Sequence, residues 1–321
     1  MTARPAVVVP FWRDQAPLGS LEVAVNADRL GFPEIWVGEM ATFDGFALAG
    51  AIARSTARAR LVVGPLAIGV RDPAALALGI ASVSVLGDRR ADLALGASSP
   101  VLVGAWHGRS WRSNPKRMRE TVAALRPLLA GERSAFCGEL VRSEGFRLRA
   151  PVPETTLTIA AFGPEMIRVA GELADRLVLN IIPPAQVTKL RKRLEEAARA
   201  AGRETPPIAC WVPAALEPGE AAMLQLRREL VGYVGAPGYG EVLAEAGFAE
   251  TVELARSGAR PADVAAAIDD AAIGAICAIG DAAAIQAAID SYRAAGVDQV
   301  ALVPVTAEDR GGERLLAALG Q

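Results

Sequence analysis

Histidine is nearly missing: His107 is the single one in 321 residues. That excludes a histidine-rich metal centre and any Ser-His-Asp triad that does not use this residue, and no metal is expected. Cysteine is scarce too. Cys137, Cys210 and Cys277 are too widely spaced for a C-x-x-C motif and fall in apolar stretches, so buried thiols are expected rather than a redox or metal pair. No apolar run reaches the roughly 20 residues that span a bilayer. Nor does an apolar leader ending at a small-residue cleavage site precede the strand-like Ala6-Val7-Val8-Val9. A soluble, cytoplasmic protein with no membrane partner is expected. Excess charge of either sign is absent as well, the formal net charge being -2. Without a positive field, nucleic acid is not an expected partner. Finally, no G-x-G-x-x-G follows the first strand, which weakens an open-sheet dinucleotide fold.

What is present is a large apolar fraction, 52% against 22% charged, enough for a substantial core. Short runs rich in Val, Ile and Leu alternate with longer stretches of helical period, the pattern of parallel strands buried on both faces. Strands are expected near 5–11, 34–39, 60–69, 90–97, 156–162, 176–182, 207–215 and 298–305. Helices are expected near 20–30, 44–57, 73–87, 115–130, 164–174, 185–201, 219–256 in pieces, and 281–295. Glycine follows several of these helices, as at Leu30-Gly31, Ala201-Gly202 and Ala295-Gly296. Eight strands with helical crossovers fit an α/β fold of the (β/α)8 TIM-barrel type, in one domain over 1–321, although periodicity alone also admits an open sheet.

Two segments break the repeat. Residues 132–150 read as a small hairpin inserted before the fifth strand. Residues 217–275, with Gly235-Ala236-Pro237-Gly238-Tyr239-Gly240 at their centre, read as a helical insertion before the last strand. Insertions of this kind build the ligand side of a barrel, since its sites are made of loops at the strand carboxyl ends.

Several segments carry a resemblance. They include Ala27-Asp28-Arg29-Leu30-Gly31-Phe32-Pro33-Glu34-Ile35-Trp36-Val37-Gly38-Glu39, then Arg60-Leu61-Val62-Val63-Gly64-Pro65-Leu66 with Arg71-Asp72-Pro73-Ala74, and Ala91-Asp92-Leu93-Ala94-Leu95-Gly96-Ala97-Ser98-Ser99-Pro100. In this order they resemble the luciferase-like oxidoreductases, which include bacterial luciferase, FMN-dependent monooxygenases and deazaflavin-dependent reductases. Three further stretches are similar to the branch that uses coenzyme F420: Gly104-Ala105-Trp106-His107-Gly108-Arg109 with Arg117-Met118-Arg119-Glu120, Ala160-Ala161-Phe162-Gly163-Pro164-Glu165-Met166 with Ala174-Asp175, and Gly232-Tyr233-Val234 through Tyr239 to Phe248. One position departs from the pattern: family members often place His directly after the acid that ends the second strand, and here Met40 stands there.

The resemblance implies a coenzyme at the barrel mouth, F420 or alternatively FMN. Phe162-Gly163-Pro164-Glu165-Met166 is expected to present backbone N–H groups to its phosphate, the alternative being an ordinary strand-to-helix turn. Gly64-Pro65-Leu66 falls where family members carry a bulge, built on a non-prolyl cis peptide, behind the ring. With proline at this point, cis and trans both remain open. Gly96, Ala97, Ser98 and Ser99 are expected along the ribityl chain, or else form a plain polar loop. Glu39 is a candidate hydrogen-bond acceptor or general acid, with a salt-bridged strand end as the alternative. His107 is a candidate proton donor, with a packed loop histidine as the alternative. Phe11, Trp12, Met40, Trp106 and Tyr239 are expected around the substrate, although Phe11 and Trp12 also fit core packing. The implied reaction is hydride transfer between reduced F420 and a small organic molecule with a C=C, C=N or C=O bond. The alternatives are an FMN monooxygenase, or a binding homologue without catalysis. Helices near 44–57 and 73–87 are apolar around most of their circumference, which predicts a homodimer.

Overall fold

The computed structural model describes residues 4–12, 16 and 18–320. Eleven strands are present among them: β1 Ala6–Val9, β2 Glu34–Val37, β3 Arg60–Ala67, β4 Ala91–Gly96, β5 Arg133–Cys137, β6 Arg142–Arg147, β7 Leu157–Ala160, β8 Arg176–Asn180, β9 Ile208–Leu216, β10 Ala278–Gly280 and β11 Gln299–Pro304. The hydrogen-bonded order is β10-β9-β11-β1-β2-β3-β4-β7-β8, and β9 also pairs with β8. Eight strands therefore close a ring with β10 appended to β9, and the fold is a (β/α)8 barrel. Every residue of β1, β2 and β4 is buried, as expected of parallel strands covered on both faces.

The expected elements recur within a few residues, and Gly31, Gly202 and Gly296 follow their helices with positive φ. β5 and β6 pair antiparallel as a hairpin. The insertion after β9 is helical in pieces: Glu220–Val234, Tyr239–Leu243, Ala249–Arg256, Pro261–Ala266 and Asp270–Ile276, with a π-helical turn at Ala244–Phe248. It leads into β10, a strand of three residues and too short to leave a period in the sequence. A π-helical turn at Val101–Trp106 and a terminal helix Glu313–Leu319 are also additions to the sequence-based reading. No helix among the described residues is long and apolar enough to cross a membrane.

Packing divides the chain into two compact units. One comprises Met1–Pro33, Leu179–Lys192 and Pro207–Gln321, the other Glu34–Val178 and Arg193–Pro206. The second unit has a charged floor at its strand amino ends. Arg176 at the start of β8 donates to both oxygens of Glu34 at the start of β2, each at 3.0 Å, and stacks 4.5 Å over the Trp36 ring. Asp92, with no exposed surface, pairs with Arg60 and accepts from the Thr156 amide at 2.8 Å. In the same unit a carboxylate helps to hold the hairpin turn. Glu120, on the helix Asn114–Leu129, accepts from the amides of Glu139, Leu140 and Val141 at 3.2, 2.7 and 2.8 Å.

Candidate functional site

In the second unit the site grows from an irregularity in β3. Its register on β4 shifts between Val63 and Leu66, and the Gly64-Pro65 peptide is cis. Only glycine fits at position 64: φ is +117° and a β-carbon would fall 2.2 Å from the Ala94 carbonyl oxygen. Pro65 lies beside Gly96, where a β-carbon would meet Pro65 Cβ at 3.3 Å and Ala160 Cβ at 3.6 Å. The neighbouring positions of β3, β4 and β7 thus carry a proline ring and very small residues, a low floor suited to a flat ring system. Gly64 sits inside β3, three residues before its end at Ala67, whereas Glu39, Ser98 and Gly163 follow the carboxyl ends of β2, β4 and β7.

Gly163 is the cap of the helix Pro164–Leu173 and offers no side chain to its first turn. A β-carbon there would meet no atom within 4 Å, so the turn opens onto free space. Backbone N–H groups without a capping side chain, at the positive end of a ten-residue helix, suit an anionic group. The exposed Glu165 carboxylate is drawn aside by Arg168. Phe162, Gly163 and Met166 are half-buried around the turn. This cradle, with the low floor at β3, β4 and β7, fits a phosphate-bearing coenzyme with a planar ring.

Glu39 takes the salt-bridged arrangement. Its carboxylate accepts from the Gly45 amide at 2.7 Å and from Arg71, which also binds Asp44 and lies 5.2 Å from the Phe46 ring centre. Burial works against the Arg71 charge, but hydrogen bonds to Asp44 and Glu39 outweigh it and hold the guanidinium above its ordinary range. Burial likewise raises the Asp44 carboxyl, and Arg71 together with the amides of Ala47 and Phe46 reverses this and holds it below the usual carboxylate range. The Arg71 Nε is buried with no hydrogen-bond partner, a donor left over beside the site.

Ser98 adopts φ +58° after β4, and the Trp111 indole N–H donates to the carbonyls of Ala97 and Ser98 at 2.9 and 3.1 Å, folding the loop back onto the strand end. Ser99 Oγ accepts from the Leu102 amide at 3.2 Å. His107 ends the π-helical turn Val101–Trp106 and is exposed, as is Trp106 at 54%. Met40 is half-buried beside Glu39.

The first unit holds an apolar cavity at the carboxyl ends of its own strands. Phe11 and Trp12 follow β1, Ile181 follows β8, Trp211 and Pro213 lie in β9, and the helix Glu220–Val234 closes it. The Trp12 indole donates to the Pro304 carbonyl at 2.8 Å, and the Phe11 and Trp211 ring centres are 6.4 Å apart. Tyr239 is not in the wall itself. Its hydroxyl accepts from Asn180 at 3.1 Å, and its ring meets Tyr233 edge-on at 4.9 Å. Burial pushes the Tyr239 phenol up, against the opposing pull of the Asn180 bond. Arg71, Trp111, Asn180 and Trp211 were not among the residues expected from sequence. Asn180, a polar residue closing the apolar run Leu177-Val178-Leu179, was the readable signal.

A sequence profile described as luciferase-like monooxygenase matches residues 14–299. The chain belongs to that family. It is 27% identical over 179 residues to the 5,10-methylenetetrahydromethanopterin reductase of Methanolobus tindarius, an alignment covering 56% of this chain and only 55% of that relative. It is 24% identical to a candidate coenzyme F420-dependent oxidoreductase of Mycobacterium tuberculosis, over 96% of each chain. Among solved structures, the F420-dependent tetrahydromethanopterin reductase of Methanopyrus kandleri superposes with a TM-score of 0.84 at 20% identity, covering 99% of this chain and 98% of that one, which establishes the shared fold.

Proposed function

We propose that the chain is a coenzyme F420-dependent oxidoreductase acting on a small organic substrate with a polarised C=C, C=N or C=O bond. The observation that carries this reading is the uncapped helix start at Gly163, where a β-carbon would enter open space, next to the low floor at Pro65, Gly96 and Ala160. The name of the Mycobacterium tuberculosis relative supports the choice of coenzyme. Bound F420 supplies the hydride chemistry at its deazaflavin ring, and the protein supplies orientation and electrostatics.

In this reading Gly163, Glu165 and Met166 offer their backbone to the phosphate, and Ser98 and Ser99 face the ribityl chain. Pro65 and Leu66 support the ring. Arg71 and the Gly45 amide fix the Glu39 carboxylate at the mouth, ready to accept a hydrogen bond. His107 is supported only by its place in the loop after β4; if it donates a proton, His107→Ala lowers turnover by about 10²-fold. Phe11, Trp12 and their cavity form the substrate side. The whole of 1–321 acts as one barrel domain, paired as a homodimer through the uncharged helix Pro73–Leu86, on which Leu78, Val85 and Leu86 are exposed.

The family description favours a second reading, an FMN-dependent monooxygenase. Turnover with reduced F420 in the strict absence of oxygen tests the choice. The F420 reading expects full activity there, and a requirement for oxygen and FMN would replace it with the monooxygenase. No turnover with either coenzyme across artificial acceptors would point to a binding homologue, the outcome suggested by Met40.

A further inference from the structure

Arg71 carries more hydrogen-bond donors than the fold uses. A guanidinium presents its N–H groups from three nitrogens, yet both carboxylates bonded to Arg71, those of Glu39 and Asp44, take the same one, Nη2. Nε is buried with no partner, and Nη1 makes no hydrogen bond to a described residue. Glu39 is used one-sidedly as well. Its Oε2 accepts from both the Gly45 amide and Arg71, whereas Oε1 accepts from no described residue. Native proteins rarely keep a buried donor without an acceptor, because its lost hydration is not recovered. The two side chains are 19% and 21% exposed, so the pair is reached from outside the protein.

The pair is also held in place. The Arg71 guanidinium carbon lies 5.2 Å from the centre of the Phe46 ring, and that ring is wedged against Gly79 of the helix Pro73–Leu86, where a β-carbon would fall 2.2 Å from it. Gly45 lets the helix Gly45–Ser55 start close to Glu39: a β-carbon there would meet Glu39 Oε2 at 3.3 Å and Leu66 Cδ2 at 3.1 Å. Leu66 follows Pro65 in β3, so the clamp stands beside the irregular part of that strand. An unused donor and an unused acceptor on two side chains that share a hydrogen bond complement a –CO–NH– edge, whose carbonyl accepts and whose N–H donates. A carboxylate would satisfy Arg71 but stand against Glu39. The pyrimidinedione of a deazaflavin or flavin ring carries such an edge.

We propose that Arg71 and Glu39 together bind a –CO–NH– edge, Arg71 donating from its unused nitrogens to the carbonyl and Glu39 Oε1 accepting from the N–H. That this edge belongs to the coenzyme ring rests on the proposed function. The test titrates lumiflavin, a ring with the same imide edge and no phosphate, against 3-methyllumiflavin, in which the N–H is blocked, and in parallel titrates F420. The parent is expected to bind lumiflavin at least about tenfold more tightly than its methylated form. Glu39→Leu should erase that difference. Arg71→Lys keeps a cation between Glu39 and Asp44 but lacks the spare donors of the planar fork. It should melt at a higher temperature than Arg71→Met, close to the parent, and still bind lumiflavin and F420 several-fold more weakly than the parent. Full affinity in Arg71→Lys would show that the charge alone matters and overturn the proposal, as would equal binding of the two flavins by the parent or discrimination that survives Glu39→Leu. Discrimination between the flavins without F420 binding removes the coenzyme assignment but not the edge, F420 binding without discrimination does the reverse, and binding of none of the three overturns both.

Discussion

At Gly163 the ligand and the fold make separable demands. The backbone there, φ -67° and ψ 153°, is open to any residue, and a β-carbon would touch nothing in the protein. Gly163→Val should therefore cost no more than about 1 kcal/mol, the scale of replacing an N-cap glycine by a poorer cap. The same branched side chain would fill the phosphate cradle and abolish coenzyme binding. Thermal melting and isothermal titration of the variant check the two halves. An unchanged melting temperature with undiminished F420 affinity would remove the phosphate assignment. Arg71 is the counterpart on the other side of the site, where one guanidinium serves both Glu39 and Asp44. Its segment was visible in the sequence as Arg71-Asp72-Pro73, but its partners were not, because Glu39 and Asp44 reach it only once β2 and β3 lie side by side.

At the scale of elements, the helix Gly45–Ser55 begins at Asp44, whose carboxylate accepts from the amides of Phe46 and Ala47 at 3.0 Å each. Asp44→Ala should cost about 1 kcal/mol through loss of this cap. Because the folded protein holds the Asp44 carboxyl below its unfolded value, the stabilisation is present above the unfolded pKa of about 3.9 and is lost as pH falls through the folded value. Denaturation curves of parent and variant should thus stay separated at neutral pH and converge in acid, and a gap that widens on acidification would contradict the cap's ionised form. The element pattern was largely legible in the sequence. Strands such as Val62-Val63 and Leu93-Ala94-Leu95 are buried on both faces and announce themselves as apolar runs, and Asp72-Pro73 marks a helix start that the structure caps through the Ala75 amide at 2.8 Å. Less legible were β10, with three residues, and the π-helical turn Val101–Trp106, whose widened hydrogen bonding leaves no distinct period. Of the residues expected at the coenzyme cradle, Pro65 and Gly96 come side by side because β3 and β4 pair. The cavity wall was missed because it draws on β8, β9 and a helix of the insertion, where side-chain direction depends on packing.

At the scale of the whole molecule, the charged floor and the bare outer helix make opposite predictions. Glu34 is 6% exposed at its side chain and is held by Arg176. Arg176→Met should leave that carboxylate buried without its cation and destabilise the protein by about 3–5 kcal/mol. Pairing it with Glu34→Leu should restore most of the loss, and a single variant as stable as the parent by chemical denaturation would show the ion pair to be dispensable. The helix Pro73–Leu86, in contrast, carries no charged residue, and Leu78, Val85 and Leu86 are exposed at 50%, 56% and 69%. An apolar face of this kind is what the proposed homodimer would cover. Leu86→Asp should convert the proposed homodimer to a monomer by light scattering, whereas a parent protein that is already monomeric at micromolar concentration would exclude this interface.

The account stands on coenzyme F420 lying in the cradle between Gly64-Pro65 and Gly163, and an isothermal titration of the purified protein with F420 and, separately, with FMN tests it most directly. Saturable binding of F420, at least about tenfold tighter than FMN and lost in Gly163→Val, is the expected result. Preferential binding of FMN, or F420 affinity indifferent to that substitution, would contradict it.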